Sequence, residues 1–379
     1  MTVIQRFFLK TEIVSGPLIL DRLEAFRGQR IGIVTDPYMV KSGGLERIQS
    51  RLPDCVVEVF GEVVSEPTVQ QVEKGAQVMA SFGPDVILAL GGGSAMDAAK
   101  AILAALREID PSRKILLIAV PTTSGTGSEV TSYAVISDPE RGVKFPLVSA
   151  ALIPDIALLD AELVRTVPPK VTADTGMDVI THGLEAFVST KATDFSDAFA
   201  EKSLILALTH LPAAFANGND MVARAAMHNA SCMAGIAFEV AGLGLNHGIA
   251  HALGGRFHVA HGKINAMLLP LIVEYNAGTL GDFKPVLPIA SRYAEIAKRA
   301  GWEGETPRAS VKNLARGLAR MNERFGIPST LRGLGVDLGE LPRWGPELVE
   351  SALADLCTAT NPRKPSPAEV ADLIRTVAG

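Results

Sequence analysis

The chain has 379 residues, 36 Lys+Arg against 41 Asp+Glu for a formal charge of -5, and 47% hydrophobic against 20% charged residues. This balance excludes a largely disordered chain and offers no basic face for nucleic acid or an anionic membrane. No run approaches the ~18 apolar residues of a membrane-spanning helix, and the length predicts two domains.

Residues 1–8 lack the apolar stretch and cleavage site of a secretory signal and lead into a first strand predicted at 6–13, closed by Ser15-Gly16-Pro17. Apolar, β-branched runs at 31–35, 56–60, 86–90 and 115–120 alternate with amphipathic windows at 39–51, 69–82 and 95–106. Strands apolar at nearly every position belong to a parallel sheet covered by helices on both faces, so a doubly wound, Rossmann-like α/β sheet is expected. Segments 133–137 and 144–149, joined by Asp138-Pro139-Glu140-Arg141-Gly142, predict a hairpin, and a last strand follows at 156–159. Beyond Val167-Pro168-Pro169 the strand signals stop. Helical periodicity continues at 173–189, 196–216, 221–241, 285–300, 310–325 and 367–377. The expected organisation is an α/β domain over residues 1–168 and an all-helical domain over residues 169–379. Three scattered cysteines, Cys55, Cys232 and Cys357, fit a reduced cytoplasm rather than a disulfide framework.

Two loops carry chemistry. Gly91-Gly92-Gly93-Ser94 follows one buried strand and opens a helix, which aims backbone N–H groups and the positive helix end at an anion. It is not a Walker loop, since no Gly-Lys-Ser/Thr follows. Pro121-Thr122-Thr123-Ser124-Gly125-Thr126-Gly127-Ser128-Glu129 follows the next strand, so both loops lie at strand carboxyl ends, where open α/β sheets bind ligands. Asp36 ends the strand predicted at 31–35, where a carboxylate either accepts from an adenosine ribose, favouring NAD over NADP, or closes a solvated turn.

All seven histidines fall between His182 and His261. Asp178 and His182 are spaced i, i+4 in one predicted helix, His247 and His251 repeat that spacing, and His261-Gly262 follows. One carboxylate with two or three neutral imidazoles suits Fe(II) or Zn(II). His210 reads as a helix-end residue, His228 as buried structure and His258 as a pocket residue.

Gly91-Gly92-Gly93-Ser94-Ala95-Met96-Asp97-Ala98-Ala99-Lys100, the Pro121–Thr131 loop, Gly176-Met177-Asp178-Val179-Ile180-Thr181-His182 and Gly242-Leu243-Gly244-Leu245-Asn246-His247-Gly248-Ile249-Ala250-His251, with His261-Gly262, resemble the iron-containing (group III) alcohol dehydrogenases. Within that family the chain is most similar to the 1-propanol dehydrogenases of propanediol-utilisation microcompartments. The resemblance implies a dehydroquinate-synthase-like two-domain architecture, with Asp178, His182, His247 and His261 as ligands of Fe(II), or alternatively Zn(II), and His251 as catalytic proton relay. It also implies that Asp36, Gly92, Gly93, Ser94, Asp97, Thr122, Thr123, Thr126 and Lys144 surround NAD(H). Many relatives carry Asn-Pro where this chain has Glu66-Pro67, which puts that one contact in question.

The expected activity is NAD(H)-dependent interconversion of a short-chain aldehyde and its alcohol, propanal and 1-propanol first. Lactaldehyde, 1,3-propanediol and butanol specificities are the alternatives. A dehydroquinate-synthase-like lyase would need several cations for an anionic sugar acid, and only Arg256 and Lys263 lie near the histidines. A non-catalytic assembly protein would not need the five clustered metal-site positions. A homodimer formed across an open first-strand edge, a cytoplasmic location and association with microcompartment enzymes or shell complete the expectation.

Overall fold

A computed structural model describes residues 7–141, 143–281, 285–339 and 341–379. The chain forms two compact units. One comprises Phe8–Val167 with Asn219–Gly235; the other comprises Pro168–Gly218 and Ile236–Gly379 with Phe7.

The first unit is built on a six-stranded parallel sheet. Its strands are β1 (Glu12–Ser15), β2 (Arg30–Thr35), β3 (Val56–Phe60), β4 (Val86–Gly91), β5 (Leu116–Pro121) and, after the hairpin strands β6 (Tyr133–Asp138) and β7 (Val143–Val148), β8 (Ile156–Leu159). The sheet order is β1-β8-β5-β4-β2-β3. Every residue of β4 is buried, because the central strand is covered on both faces. One face packs Ile31, Ile33, Leu88, Leu90, Ile118 and Val120; the other packs Ile87, Ala89, Leu117 and Ala119 against Ile102 and Leu103.

The connecting helices are α1 (Pro37–Lys41), α2 (Gly44–Gln49), α3 (Val69–Phe82) and α4 (Gly93–Ile109). Thr68 and Gln71 close a reciprocal capping box at the start of α3, satisfying two backbone donors that the helix cannot. The predicted window 39–51 divides into the separate α1 and α2 around Ser42 and Gly43. The predicted first strand also moves. Arg6 lies outside the described residues, residues 7–11 are not strand, and pairing with β8 begins at Glu12. Phe7 instead stacks on Phe195 and Phe199 at 5.5 and 5.7 Å, so its apolar character serves ring packing. The hairpin β6–β7 is antiparallel; Gly142 in its turn lies outside the described residues.

The second unit is helical. It contains α5 (Pro169–Val188), α6 (Asp194–Ala216), the end of α7 (Met221–Ala241), α8 (Leu245–Phe257), α9 (His261–Ala277), α10 (Ala290–Arg299), α11 (Pro307–Arg324), α12 (Leu341–Ala354) and α13 (Pro367–Ala378). Residues 176–188 of α5 are buried on every face, as expected of a helix surrounded by other helices. No single helix among the described residues is long and apolar enough to cross a membrane.

Three helices had no sequence prediction. Helix α8 hides in the glycine-rich Gly242–Gly255 stretch, α9 contains Pro270, and α12 contains Pro346. Local propensity argues against each; for α8 and α9, most of whose residues are buried, burial among neighbouring helices overrides it, whereas α12 buries only Leu348 and Ala352. Helix α7 begins in the sheet unit. There the Gly235 Cα stands so near Gly127 that a Cβ on Gly127 would lie 2.6 Å away, and the Arg224 guanidinium donates to the Val167 carbonyl at 2.8 Å.

Candidate metal centre and dinucleotide cradle

Helix α5 presents Asp178 and His182 one turn apart, α8 presents His247, and α9 begins at His261. Gly262 lets α9 approach α5, since a Cβ there would stand 2.3 Å from the Asp174 carbonyl oxygen. The four residues each offer a ligand atom, and these atoms lie within 4.8 Å of one another. Asp178 Oδ1 lies 3.7 Å from His247 Nε2 and 3.6 Å from His261 Nε2, while Asp178 Oδ2 lies 3.9 Å from His182 Nε2. One carboxylate and three imidazole nitrogens at this spacing fit a divalent first-row cation. The cluster is closed on one side and open on the other: the side chains of Asp178, His182 and His247 are at most 6% exposed, against 41% for His261.

The surroundings suit ligation. His247 Nδ1 and Glu185 Oε2 are 2.5 Å apart, the carboxylate–histidine arrangement that leaves Nε2 with its lone pair. Burial, reinforced by the neighbouring histidines, holds His247 well below the ordinary imidazole range, so the ring is neutral. Burial raises the Glu185 carboxyl, while backbone N–H groups of Asn246, Gly244 and His247 oppose that rise by favouring the carboxylate. The His182 ring stacks on His247 and lies tilted against Phe238, each at 4.7 Å.

His251 stands apart from the four. Its ring stacks on His261 at 5.2 Å and its Nδ1 pairs with Asp355 Oδ2 at 2.8 Å. It also belongs to a smaller group with Asp355 and Cys357. Of the remaining histidines, His258 closes α8 in a left-handed conformation and His210 lies in the last two turns of α6.

In the sheet unit, the glycine loop joins β4 to α4. The N-terminus of α4 has no side-chain cap, so its first N–H groups are presented by backbone alone. Room for a ligand is set by glycine. At Gly93 a Cβ would stand 2.8 Å from Thr126 Cγ2, and Gly91 has φ +151. Thr122 and Thr123 flank the same loop: the Thr122 N–H donates to the Gly91 carbonyl at 2.9 Å, and the Thr123 side chain faces Gly92.

Asp36 lies beside this loop because β2 and β4 are neighbours, the position where the chain reverses its direction across the sheet. One oxygen, Oδ1, accepts from Tyr38 N and Met39 N at 2.8 and 2.9 Å and caps α1. The other, Oδ2, faces Gly91. Oδ1 thus serves the turn, and Oδ2 has no hydrogen bond to a neighbouring backbone N–H of α1. Ser94 Oγ accepts from the Glu66 N–H at 3.3 Å, and Glu66 forms an ion pair with Lys144. Lys144 thus neutralises the Glu66 carboxylate.

Asp97 is placed differently from its loop neighbours. Its carboxylate accepts from Ser128 Oγ at 2.9 Å and Val135 N at 3.1 Å, and burial raises its carboxyl despite nearby Lys100. Lys100 is fully buried and donates to the Thr131 and Tyr133 carbonyls at 2.7 and 2.8 Å and to Ser128 Oγ at 3.0 Å. Asp97 and Lys100 therefore tie the second loop to the hairpin. Buried Glu129, pushed up to about 7 by desolvation, adjoins the same cation.

Glu185, Asp355, Asn246 and Asn265 were not singled out in the sequence. Glu185 was within reach of the same reasoning, since Asp178, His182 and Glu185 follow i, i+4, i+7 along α5; Asn265 was not, because α9 had no sequence prediction. Asp355 had no such signal, because its pairing with His251 spans 104 residues.

Residues 11–161 match the pattern described as iron-containing alcohol dehydrogenase, and residues 172–378 match the C-terminal pattern of the Fe-containing alcohol dehydrogenase family. The chain is 43% identical over 371 residues to the 1-propanol dehydrogenase PduQ of Salmonella typhimurium, covering 97% of this chain and 98% of that one. Its fold is similar to that of an iron-containing alcohol dehydrogenase from Thermococcus thioreducens, with a TM-score of 0.87, 34% identity and coverage of 98% and 99% of the two chains. A sulfoacetaldehyde reductase from Bifidobacterium kashiwanohense, solved with NAD+, superposes with a TM-score of 0.87 at 25% identity, covering 100% of this chain and 99% of that one. The chain belongs to the iron-containing alcohol dehydrogenase family and is an oxidoreductase with that family's dehydroquinate-synthase-like fold.

Proposed function

We propose that the protein reduces a short-chain aldehyde to its primary alcohol with NADH, propanal to 1-propanol first, and so regenerates NAD. Residues 1–168 are read as the dinucleotide-binding domain and residues 169–379 as the metal-binding catalytic domain, with Fe(II) the preferred ion. The observation that carries the reading is the Asp178–His182–His247–His261 cluster, whose donor atoms lie within 4.8 Å of one another and which is open on the His261 side. Similarity to a 1-propanol dehydrogenase supports the choice of propanal.

A divalent cation at these four residues supplies Lewis acidity to a carbonyl oxygen. Glu185 orients His247 so that Nε2 keeps its lone pair. The backbone N–H groups at the start of α4 receive a pyrophosphate, and Asp36 Oδ2 remains to accept from a ribose hydroxyl and to repel a 2′-phosphate. Asp355 holds His251 by Nδ1, leaving Nε2 to carry a proton to the product oxygen. The cations near the histidines are already engaged: Lys263 pairs with Asp174 at 3.3 Å, and Arg256 lies over the Trp344 ring at 3.4 Å. That engagement argues against clamping an anionic sugar acid. Strand β1 is one edge of the sheet, which supports a homodimer formed by covering it. Similarity to PduQ supports a cytoplasmic protein packaged with the enzymes or shell of a microcompartment.

The test is anaerobic purification with metal analysis, followed by NADH oxidation with C2–C5 aldehydes, lactaldehyde and dihydroxyacetone. Propanal is expected to give the highest kcat/KM. A protein loaded with Fe(II) or Zn(II) that oxidises NADH with none of these aldehydes refutes the assignment.

A further inference from the structure

The lone pairs at the centre of the histidine cluster already have a partner. Asn265 is completely buried, and its Nδ2 lies 2.7 Å from Asp178 Oδ1 and 3.0 Å from Nε2 of both His247 and His261. The direction of the amide is set from behind. Asn246, also completely buried, donates from Nδ2 to Asn265 Oδ1 at 2.9 Å and to the Asn265 main-chain carbonyl at 3.2 Å. Turning the Asn265 amide over would set one NH2 group against another, so the donor end faces the cluster.

The three acceptors are not equivalent. A carboxylate oxygen has two lone pairs and can accept an N–H while it binds a cation. An imidazole Nε2 has one lone pair in the ring plane, and accepts an N–H or binds a cation, never both at once. The Asn265 NH2 has two N–H groups, one on Asp178 and the other shared between the two imidazole nitrogens, so the amide and a metal ion claim the same imidazole lone pairs and the amide engages one of them at a time.

We propose that Asn265 is a positioning residue that competes with the cation. It favours the tautomer that leaves Nε2 unprotonated, yields the one N–H shared between the two imidazoles as the ion enters, and keeps its other N–H on Asp178. The inference rests on the reading of the four residues as a metal centre. Its consequence is a site whose affinity is set below what the ligands alone would give, so that the ion exchanges with the surroundings.

The measurement is Zn2+ affinity of the full-length protein by competition with a chromophoric chelator, for wild type and Asn265→Leu. Leucine fills about the same volume and donates nothing. Because the lost bond to Asp178 is common to both states, the comparison reports the imidazole contacts. Asn265→Leu is expected to bind Zn2+ about tenfold more tightly, the equivalent of roughly one net hydrogen bond no longer surrendered. Equal or weaker binding overturns the proposal and makes Asn265 a brace of the loaded centre, whose loss typically costs 10–100-fold. If Asn265→Leu does not fold, Asn246→Ala is read in the same way. It frees the amide to turn its carbonyl oxygen toward the ion; tighter binding is expected, and equal or weaker binding again overturns the proposal. Wild-type protein that takes up no Zn2+, or that binds it unchanged after His247→Ala, overturns the metal-centre reading and this inference with it.

Discussion

Replacing His228 with glutamine isolates one buried titration beneath the second loop. His228 Nδ1 lies 3.0 Å from Ser124 Oγ, and no partner reaches its Nε2 among the described residues. Burial pushes its pKa down to about 4. A histidine depressed in the folded state destabilises as pH falls, because the unfolded chain binds the proton first. The loss begins near the ordinary value of 6.5 and is complete below the folded value of about 4. At pH 5 the unfolded chain is almost fully protonated there and the folded chain roughly one-tenth, a difference of about 2 kcal/mol relative to pH 7. Glu129 slopes the other way: its carboxyl is raised to about 7, so its contribution is lost as pH rises toward that value. The two nearly offset in wild type, which is why a difference measurement is needed. Urea unfolding of wild type and His228→Gln at pH 5 and pH 7, with metal and ionic strength fixed, removes the Glu129 contribution common to both. The stability difference between the proteins should move in favour of the variant by about 2 kcal/mol on going from pH 7 to pH 5. A difference unchanged between the two pH values would show that His228 titrates normally and that its pocket is wet.

Gly93→Ala forces a methyl group toward Thr126 Cγ2, 2.8 Å away. NADH affinity by fluorescence titration should fall by about 5–150-fold, since shifts of this kind typically cost 1–3 kcal/mol, while bound metal stays at the wild-type level; unaltered NADH affinity would place the pyrophosphate elsewhere. His251→Ala should slow turnover by about 10²–10⁴-fold, as expected for loss of a proton relay, with metal content nearly intact. Loss of the metal would make His251 a ligand instead.

What the sequence determined by itself were features encoded within a few neighbouring residues. Nearly continuous apolar runs specified the buried parallel strands β2, β4 and β5, and the Gly91–Ser94 turn specified an uncapped helix start at the end of β4. The i, i+4 pair Asp178 and His182 marked one face of α5. Each follows from local geometry and the period of the backbone. Tertiary structure decided what depends on residues far apart in the chain. Helices α8 and α9 form against their own glycines and proline because burial outweighs propensity. The start of α7 belongs with the sheet unit because Gly127 and Gly235 pack backbone to backbone. Asp36 divides its two oxygens between a helix cap and the glycine loop, Asp97 turns from the loop to a buried lysine, and Asp355 reaches His251 across 104 residues. The histidine count likewise pointed to a metal, while the amide of Asn265 at its centre came only from the packing of α9 against α5 and α8. Spacing along a helix reveals which side chains share a face; which groups meet in the low-dielectric interior, and so which lone pairs are already engaged, is settled only when the faces are brought together.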